Sequence, residues 1–250
     1  MIEVNFIHKA FGDQEVLKGI DATFYQGKTN LIIGKSGSGK TVFLKSLVGL
    51  HEIDQGEIIY DDRALGTLNN KERKALRTEM GMVFQGNALF DSLTIEDNVT
   101  FALSMFSDMS LSERRDRADF CLQRVNLPNV HKQFPSELSG GMQKRVAIAR
   151  AISMNPKYLF CDEPNSGLDP KTAIVIDRLL QEITQEFDIT TVINTHDMNS
   201  VIEIGDHIMF IKDGTKAWQG TGEEILNTDN PEIVDFVYSS RLFQKIREKL

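Results

Sequence analysis

Over roughly the first thirty positions Ile2, Val4 and Phe6, and then Ile20, Ala22 and Phe24, alternate with polar residues. A period of two suits half-buried antiparallel strands that form an edge sheet. Leu31-Ile32-Ile33 runs unbroken into a glycine-rich turn, and Phe43, Leu44, Leu47 and Val48 follow at helical spacing. That pattern predicts a buried strand, a loop and a helix, half of a βαβ unit. From about residue 87 to 155 the chain reads as mostly helical. Thr94 to Leu103, Ser112 to Val125 behind the capping box Ser110-x-x-Glu113, and Gly140 to Met154 before Pro156 are the candidate helices.

Beyond this insert, Tyr158 to Cys161 reads as a short buried strand. Asp169-Pro170 reads as an N-cap with proline at the first helical position, and Ala173, Ile176, Leu180, Ile183 and Phe187 stripe one face of the helix that follows. Thr190 to Ile193 is the next strand, and Met198 to Ile204 is a short helix ending at Gly205. Asp213-Gly214 marks a hairpin turn between His207–Ile211 and Lys216–Gln219. Strands alternating with helices from Leu31 to Gln219 predict an α/β fold with a mostly parallel sheet covered on both faces. Function is expected at the carboxyl ends of its strands.

Composition narrows the class without changing this picture. With 250 residues, 41% hydrophobic and 26% charged, 18 Gly and 6 Pro, the chain is neither collagen-like nor disordered. A formal charge of −8 argues against a general nucleic-acid binder and leaves room for a local anion site. Cys121 and Cys161 have no CxxC or histidine neighbours, so neither a disulfide scaffold nor a zinc knuckle is expected. The N-terminal residues do not read as a secretory signal, and no apolar run approaches the roughly 18 residues needed to cross a bilayer. The expectation is a cytoplasmic chain unless something else holds it to a membrane.

The chemistry begins at Gly34-Lys35-Ser36-Gly37-Ser38-Gly39-Lys40-Thr41, which matches G-x-x-x-x-G-K-[ST] between a predicted strand and a predicted helix. Glycines let backbone N–H groups point at phosphate oxygens, and the helix N-terminus adds partial positive charge. Lys40 reaches the terminal phosphates, and the Thr41 hydroxyl is a ligand for Mg²⁺. A triphosphate also needs a carboxylate near its metal, and the apolar strand ending in Asp162-Glu163 supplies two. Asp162 suits the metal, through water because Mg²⁺ dehydrates reluctantly, and Glu163 suits orienting or deprotonating the attacking water. Ser139-Gly140-Gly141 ahead of a helix is a second phosphate-competent element, or simply an N-cap and a turn. Two anion sites for one nucleotide make sense if each chain completes the pocket of another copy.

The order of these motifs resembles the nucleotide-binding subunit of an ABC transporter over about residues 1 to 225, with an ABC ATPase fold. The resemblance implies a P-loop NTPase core with an N-terminal antiparallel β subdomain (1–86 and 156–225), a helical subdomain (about 87–155) and a C-terminal helical tail (about 226–250). It further implies that Phe11 stacks on adenine, that Gln85 senses the γ-phosphate and its Mg²⁺, and that Ser139, Gly140 and Gly141 close on the other subunit's ATP. Ser166-Gly167-Leu168-Asp169 becomes a loop crossing the dimer, and His196 a switch touching the γ-phosphate. The implied partners are a second copy of the chain and integral membrane permease subunits, at the inner face of the cell's inner membrane. Phe11 stands where Tyr is usual, Met142 where Gln is frequent and Asn165 where Thr is frequent; none of these changes removes a phosphate ligand.

The stretch Gly81 to Val99, together with Leu138 to Arg145, is similar to the ATPase of bacterial lipid-asymmetry (Mla-type) transporters. That likeness implies movement of phospholipid between envelope membranes with a lipid-binding periplasmic subunit as a further partner. Import of a small polar solute is the alternative. A DNA-maintenance ATPase would separate its motifs by long coiled coil, and Thr41 to Leu138 holds no such heptad run. A GTPase is disfavoured because Asn70-Lys71-Glu72-Arg73 fails the guanine-reading pattern at its last position, and a translation-associated ABC protein would normally carry two cassettes. In the tail, Asn230-Pro231 predicts a helix start, and Tyr238, Leu242, Ile246 and Leu250 recur every four residues amid basic side chains. Such a face packs on its own domain or docks on a neighbour.

Overall fold

The computed structural model describes residues 1–238. Strands β1 (Ile2–Phe11), β2 (Gln14–Phe24), β4 (Gln55–Tyr60) and β5 (Arg63–Ala64) form an antiparallel sheet in the order β2-β1-β4-β5. A second sheet joins β3 (Thr29–Ile33), β6 (Met80–Val83), β7 (Tyr158–Asp162), β8 (Thr190–Thr195), β9 (His207–Lys212) and β10 (Thr215–Gly220). Its order is β10-β9-β3-β8-β7-β6, parallel except where β10 returns on β9 through Asp213-Gly214. Both turn residues have positive φ, at 50° and 83°, as a tight two-residue hairpin requires.

Period-two alternation divides the second sheet between two cores. Leu31, Ile33, Leu159, Cys161, Ile193, Ile208 and Phe210 face one cluster, which holds most of the helices. Ile32, Tyr158, Phe160, Val192, Met209 and Ile211 face the other, shared with α1 (Lys40–Leu47) and the antiparallel sheet. Every residue of β3, β7 and β8 is buried, as expected of parallel strands with both faces covered.

The helical stretch resolves into α3 (Ile95–Phe106), α4 (Leu111–Arg124) and α5 (Gly140–Ile152), which pack on one another. Thr94 and Ser139 cap α3 and α5, and Ser110 with Glu113 forms the expected capping box of α4. Asp169 caps α6 (Pro170–Glu186), and α7 (Met198–Ile204) ends at Gly205 as expected. Three further helices have no counterpart in the sequence pattern or only a partial one. α2 (Asn70–Thr78) starts at a capping box of Asn69 and Glu72, and α8 (Gly222–Asn227) at one of Thr221 and Glu224. α9 (Pro231–Val237) begins at Asn230-Pro231 as read, and Tyr238 is buried behind it, donating its hydroxyl to the Leu226 carbonyl at 3.0 Å. Leu242, Ile246 and Leu250 lie outside the described residues.

Phe6 departs from the alternation. It is 57% exposed, while Ile7 takes the buried position. The register of β1 on β2 shifts between Val4 and Ile7, and Phe6 sits at φ 50°, the signature of a bulge that turns its side chain outward. Opposite the bulge lies Gly56, at φ 91°, where a Cβ would fall 2.3 Å from the Phe6 carbonyl oxygen. Gly56→Ala is therefore expected to cost about 2 kcal/mol or more of folding stability. Urea unfolding measures this directly, and an unchanged midpoint would show that β4 moves away from the bulge without penalty.

Candidate active site

Sheet order gathers the residues that follow four strands. The chain leaves β3 into the Gly34–Thr41 loop, β6 towards Gln85, β7 at Asp162-Glu163 and β8 at His196. Because β8 pairs with both β3 and β7, and β7 with β6, these ends lie side by side along one edge.

The Gly34–Thr41 loop is shaped first by its backbone. Gly39 is the N-cap of α1 at φ 104°, and Lys40 opens that helix. Lys40 is 6% exposed and donates its Nζ to the carbonyls of Gly34 at 2.8 Å and Lys35 at 3.1 Å, folding over its own loop. Burial holds its ammonium below the ordinary lysine value, and the nearby carboxylates of Glu163 and Asp162 pull the other way. The buried Ser38 hydroxyl has no hydrogen-bond partner among the described residues, an unmet polar group that a phosphate oxygen would satisfy. Gly34, at φ 154°, has Ile211 O 2.3 Å from where a Cβ would stand, so the cradle closes only around glycine. Gly37 has open space there, and Ser36 and Gly37 are exposed at the loop's tip.

Thr41 donates its hydroxyl to Asp162 Oδ1 at 3.2 Å, and Asn194 donates Nδ2 to the same oxygen at 3.0 Å. Next door, Glu163 stands at φ 46°, unusual for a residue with a side chain. Its Oε2 accepts from Gln85 Nε2 at 3.0 Å, and its Oε1 lies 3.0 Å from His196 Nδ1. A hydroxyl and a single buried carboxylate, both hard oxygen donors, suit Mg²⁺, which completes its shell with phosphate and water. Among the described residues no cluster of three or more His, Cys, Asp or Glu offers a closed metal cage.

Two sets of expected residues stand apart from this edge. Phe11 is exposed, edge-on to His51 at 5.3 Å, with the Lys9 ammonium 5.3 Å from its ring centre. Ser139 accepts from the Met142 N–H at 3.4 Å as the cap of α5, and Ser139 and Gly140 are exposed. No hydrogen bond among the described residues joins Ser139, Gly140 or Gly141 to the 34–41 loop. Gly140 and Gly141 lie instead beside Leu168 and Thr172.

The sequence reading missed several supporting groups. Buried Lys144 hydrogen-bonds the Gln85 carbonyl, and Arg150 donates to the carbonyls of Ala88 at 2.7 Å and Asn87 at 2.8 Å, so α5 holds the strand exit that carries Gln85. Asn194, which shares Asp162 with Thr41, stands one residue past the strand read at Thr190 to Ile193 and falls inside the longer β8. The signal for Lys144 lay in its place one helical turn after Gly140.

A phosphate cradle between a buried strand and a helix, beside a strand that ends in a metal-suited carboxylate and a second acid, defines a P-loop nucleoside triphosphatase. The ABC transporter family profile matches residues 17–166. The chain belongs to that family, as an ATP-hydrolysing subunit that uses Mg²⁺. It is 43% identical over 218 residues to the methionine import ATP-binding protein MetN of Clostridium tetani, covering 87% of this chain and 68% of that protein. It is 34% identical over 237 residues to the intermembrane phospholipid transport system ATP-binding protein MlaF of Haemophilus influenzae, covering 95% of this chain and 90% of that protein. Among solved structures it superposes, with a TM-score of 0.80 and 34% identity, on the dimeric ATP-binding cassette MJ0796 bound to ADP and Pi, covering 88% of this chain and 98% of that one. No helix among the described residues is long and apolar enough to cross a membrane.

Proposed function

We propose that two copies of this chain work together on the cytoplasmic face of an inner membrane, and that the transporter they drive moves phospholipid between the membranes of a bacterial envelope. The observation that carries the hydrolytic part is Glu163, suspended between Gln85 and His196 beside the Lys40 loop. Glu163 takes a proton from water as the water oxygen bonds to the γ-phosphorus, and the bond from that phosphorus to the β,γ-bridging oxygen breaks. ADP and phosphate leave, and the proton passes on to phosphate or solvent. Lys40 and the backbone N–H groups of Gly37 to Thr41 neutralise charge on the phosphates, and the Ser38 hydroxyl adds a donor. The Thr41 hydroxyl, Asp162 and the Gln85 amide oxygen would hold Mg²⁺, which would supply positive charge to the phosphates. His196 steadies Glu163 and reaches the γ-phosphate, while Phe11 offers its ring to the adenine.

Ser139 caps a 13-residue helix that begins at Gly140 and Gly141, and no hydrogen bond among the described residues joins these three to the chain's own loop. They serve the nucleotide of the second copy. In the helical subdomain, exposed Phe90 and Phe101, with ring centres 4.6 Å apart, and exposed Met105 and Phe106 suit contact with the permease.

For the cargo, the Gly81–Val99 stretch and the near full-length match to MlaF support phospholipid and a lipid-binding periplasmic partner. The higher identity to MetN favours the second reading, import of a small polar solute. The complex purified with its membrane subunits and placed in vesicles tests both. ATP-dependent transfer of a fluorescent phospholipid is expected; methionine uptake without lipid transfer would overturn the lipid reading. Scattering with a slowly cleaved ATP analogue is expected to show a dimer, and a monomer enclosing the analogue would overturn the shared pocket.

A further inference from the structure

Helix α6 breaks its own pattern at one position. Ala173, Ile176, Leu180 and Ile183 bury an apolar face, yet Asp177 is 3% exposed among them. Burying a carboxylate is costly unless it is paired, and no ion pair to Asp177 is present among the described residues. Its partners are two neutral donors. Ser200 donates Oγ to Asp177 Oδ2 at 2.7 Å, and Asn165 Nδ2 lies 3.4 and 3.3 Å from its two oxygens. Asn165 also donates to Ser200 Oγ at 2.8 Å, which closes a ring of three side chains, all of them buried.

The places these residues hold in the chain give the ring its meaning. Asn165 lies two residues beyond Glu163, in the loop whose Ser166 N–H returns to the Glu163 carbonyl at 3.1 Å. Ser200 lies in the first turn of α7, whose cap Asp197 directly follows His196. Each member of the Glu163–His196 pair is thus carried on a segment that ends, within a few residues, on Asp177. We propose that Asp177 is a positioning residue: through Asn165 and Ser200 it ties the loop after Glu163 to the helix after His196, and so keeps those two side chains in register for hydrolysis. This rests on the hydrolytic role given to Glu163 above.

The charge on Asp177 matters because a carboxylate accepts from both partners at once, whereas its protonated form must turn one oxygen into a donor. Burial, with the like charges of Asp197 and Glu203 adding, raises its pKa to about 6 against the donors Ser200 and Asn165. Arg178 is engaged by Glu203, and Cys161, a further titratable neighbour, is itself pushed far up by burial. A cavity of about 450 Å³ borders Asn165 and Asp177, and Asp197 and Glu203 also line it. The folded-state pKa lies above the unfolded one, so the ionised form weighs against folding above pH 6, and that cost is relieved as pH falls through 6 towards 4.

Stability and turnover consequently move in opposite directions, which separates positioning from mere packing. At pH 8, Asp177→Asn is expected to lower kcat about fivefold with the KM for ATP within about twofold and a thermal midpoint no lower than wild type. At pH 5.5, where wild-type Asp177 is itself mostly protonated, the ratio of variant to wild-type kcat should rise towards one. Ser200→Ala, which removes one donor, is expected to lower kcat about threefold at pH 8 without moving KM, and carries the test should Asp177→Asn fail to fold. A folded Asp177→Asn with kcat within twofold of wild type, or with an unchanged ratio at the two pH values, overturns the proposal. So does a fall in kcat matched by a fall in thermal midpoint. Glu163→Gln is assayed alongside: full turnover there overturns the hydrolytic role and this inference with it, whereas an inactive Glu163→Gln beside a wild-type-like Asp177→Asn overturns this inference alone.

Discussion

Glu163→Gln is expected to lower ATP turnover about 100- to 1,000-fold while ATP still binds, a loss of about 3–4 kcal/mol of transition-state stabilisation. The substitution keeps the size of the side chain and its place between Gln85 Nε2 and His196 Nδ1, each 3.0 Å away. What it removes is the carboxyl group that follows β7 beside the loop; Asp162 is already taken by Thr41 and Asn194. An amide cannot take the proton of the attacking water, so the chemical step slows and binding does not. Binding rests on the 34–41 loop, which the change leaves alone. The variant should therefore accumulate as an ATP-filled dimer, visible by scattering or size exclusion with MgATP. Single-turnover kinetics separate the steps, and a hydrolysis rate equal to wild type would remove Glu163 from the mechanism.

The positive φ of Glu163 belongs to the same argument. A residue with a Cβ at φ 46° is held there by its surroundings, here by the Glu163 N–H bonded to the Asn194 carbonyl at 3.0 Å and by the turn back from Ser166. The backbone bends the acid off the strand, so that Asp162 stays buried under Thr41 while Glu163 swings towards Gln85 and His196. Neighbours in sequence become two groups in different surroundings.

How much of this could be read in the sequence depends on the range of the interaction concerned. The Lys40 loop was legible because strand, glycines and helix are contiguous, and each acts through its own backbone. The strand at Asp162 and the caps at Ser110, Ser139 and Asp169 were legible for the same reason. Phe6 was misjudged because a register shift between Val4 and Ile7 turns it outward, and the close approach of Gly56 that accommodates it comes from another strand. α2 went unread because its sequence, Asn70 to Thr78, buries only Leu76, too little for an apolar stripe; its Asn69–Glu72 capping box was the available signal. The Asn165–Asp177–Ser200 ring spans three segments that only the fold brings together. In the sequence Asp177 looks like an ordinary polar position on a helix.

Lys40→Ala is expected to weaken ATP binding about 100-fold and to leave no turnover above background at ATP levels that saturate the wild type. The reason lies in how the lysine is held before nucleotide arrives. Its ammonium is buried, bonded among the described residues to the neutral carbonyls of Gly34 and Lys35, and kept below the ordinary lysine value chiefly by desolvation. The folded chain accordingly releases this proton at a lower pH than the unfolded chain, so the residue opposes folding at neutral pH and does so less as pH rises through its folded value. A polyphosphate reverses that balance by giving the charge a counter-charge, and the energy of doing so appears as affinity. Nucleotide-induced stabilisation isolates this contribution, because the shift is measured within each variant and any effect on the empty fold cancels. With MgATP at about 100 times its dissociation constant, the wild type should gain about 2.7 kcal/mol of stability, and Lys40→Ala less than about 0.5 kcal/mol at the same concentration. An equal gain in both proteins would mean that the backbone cradle and Ser38 hold the phosphates without Lys40.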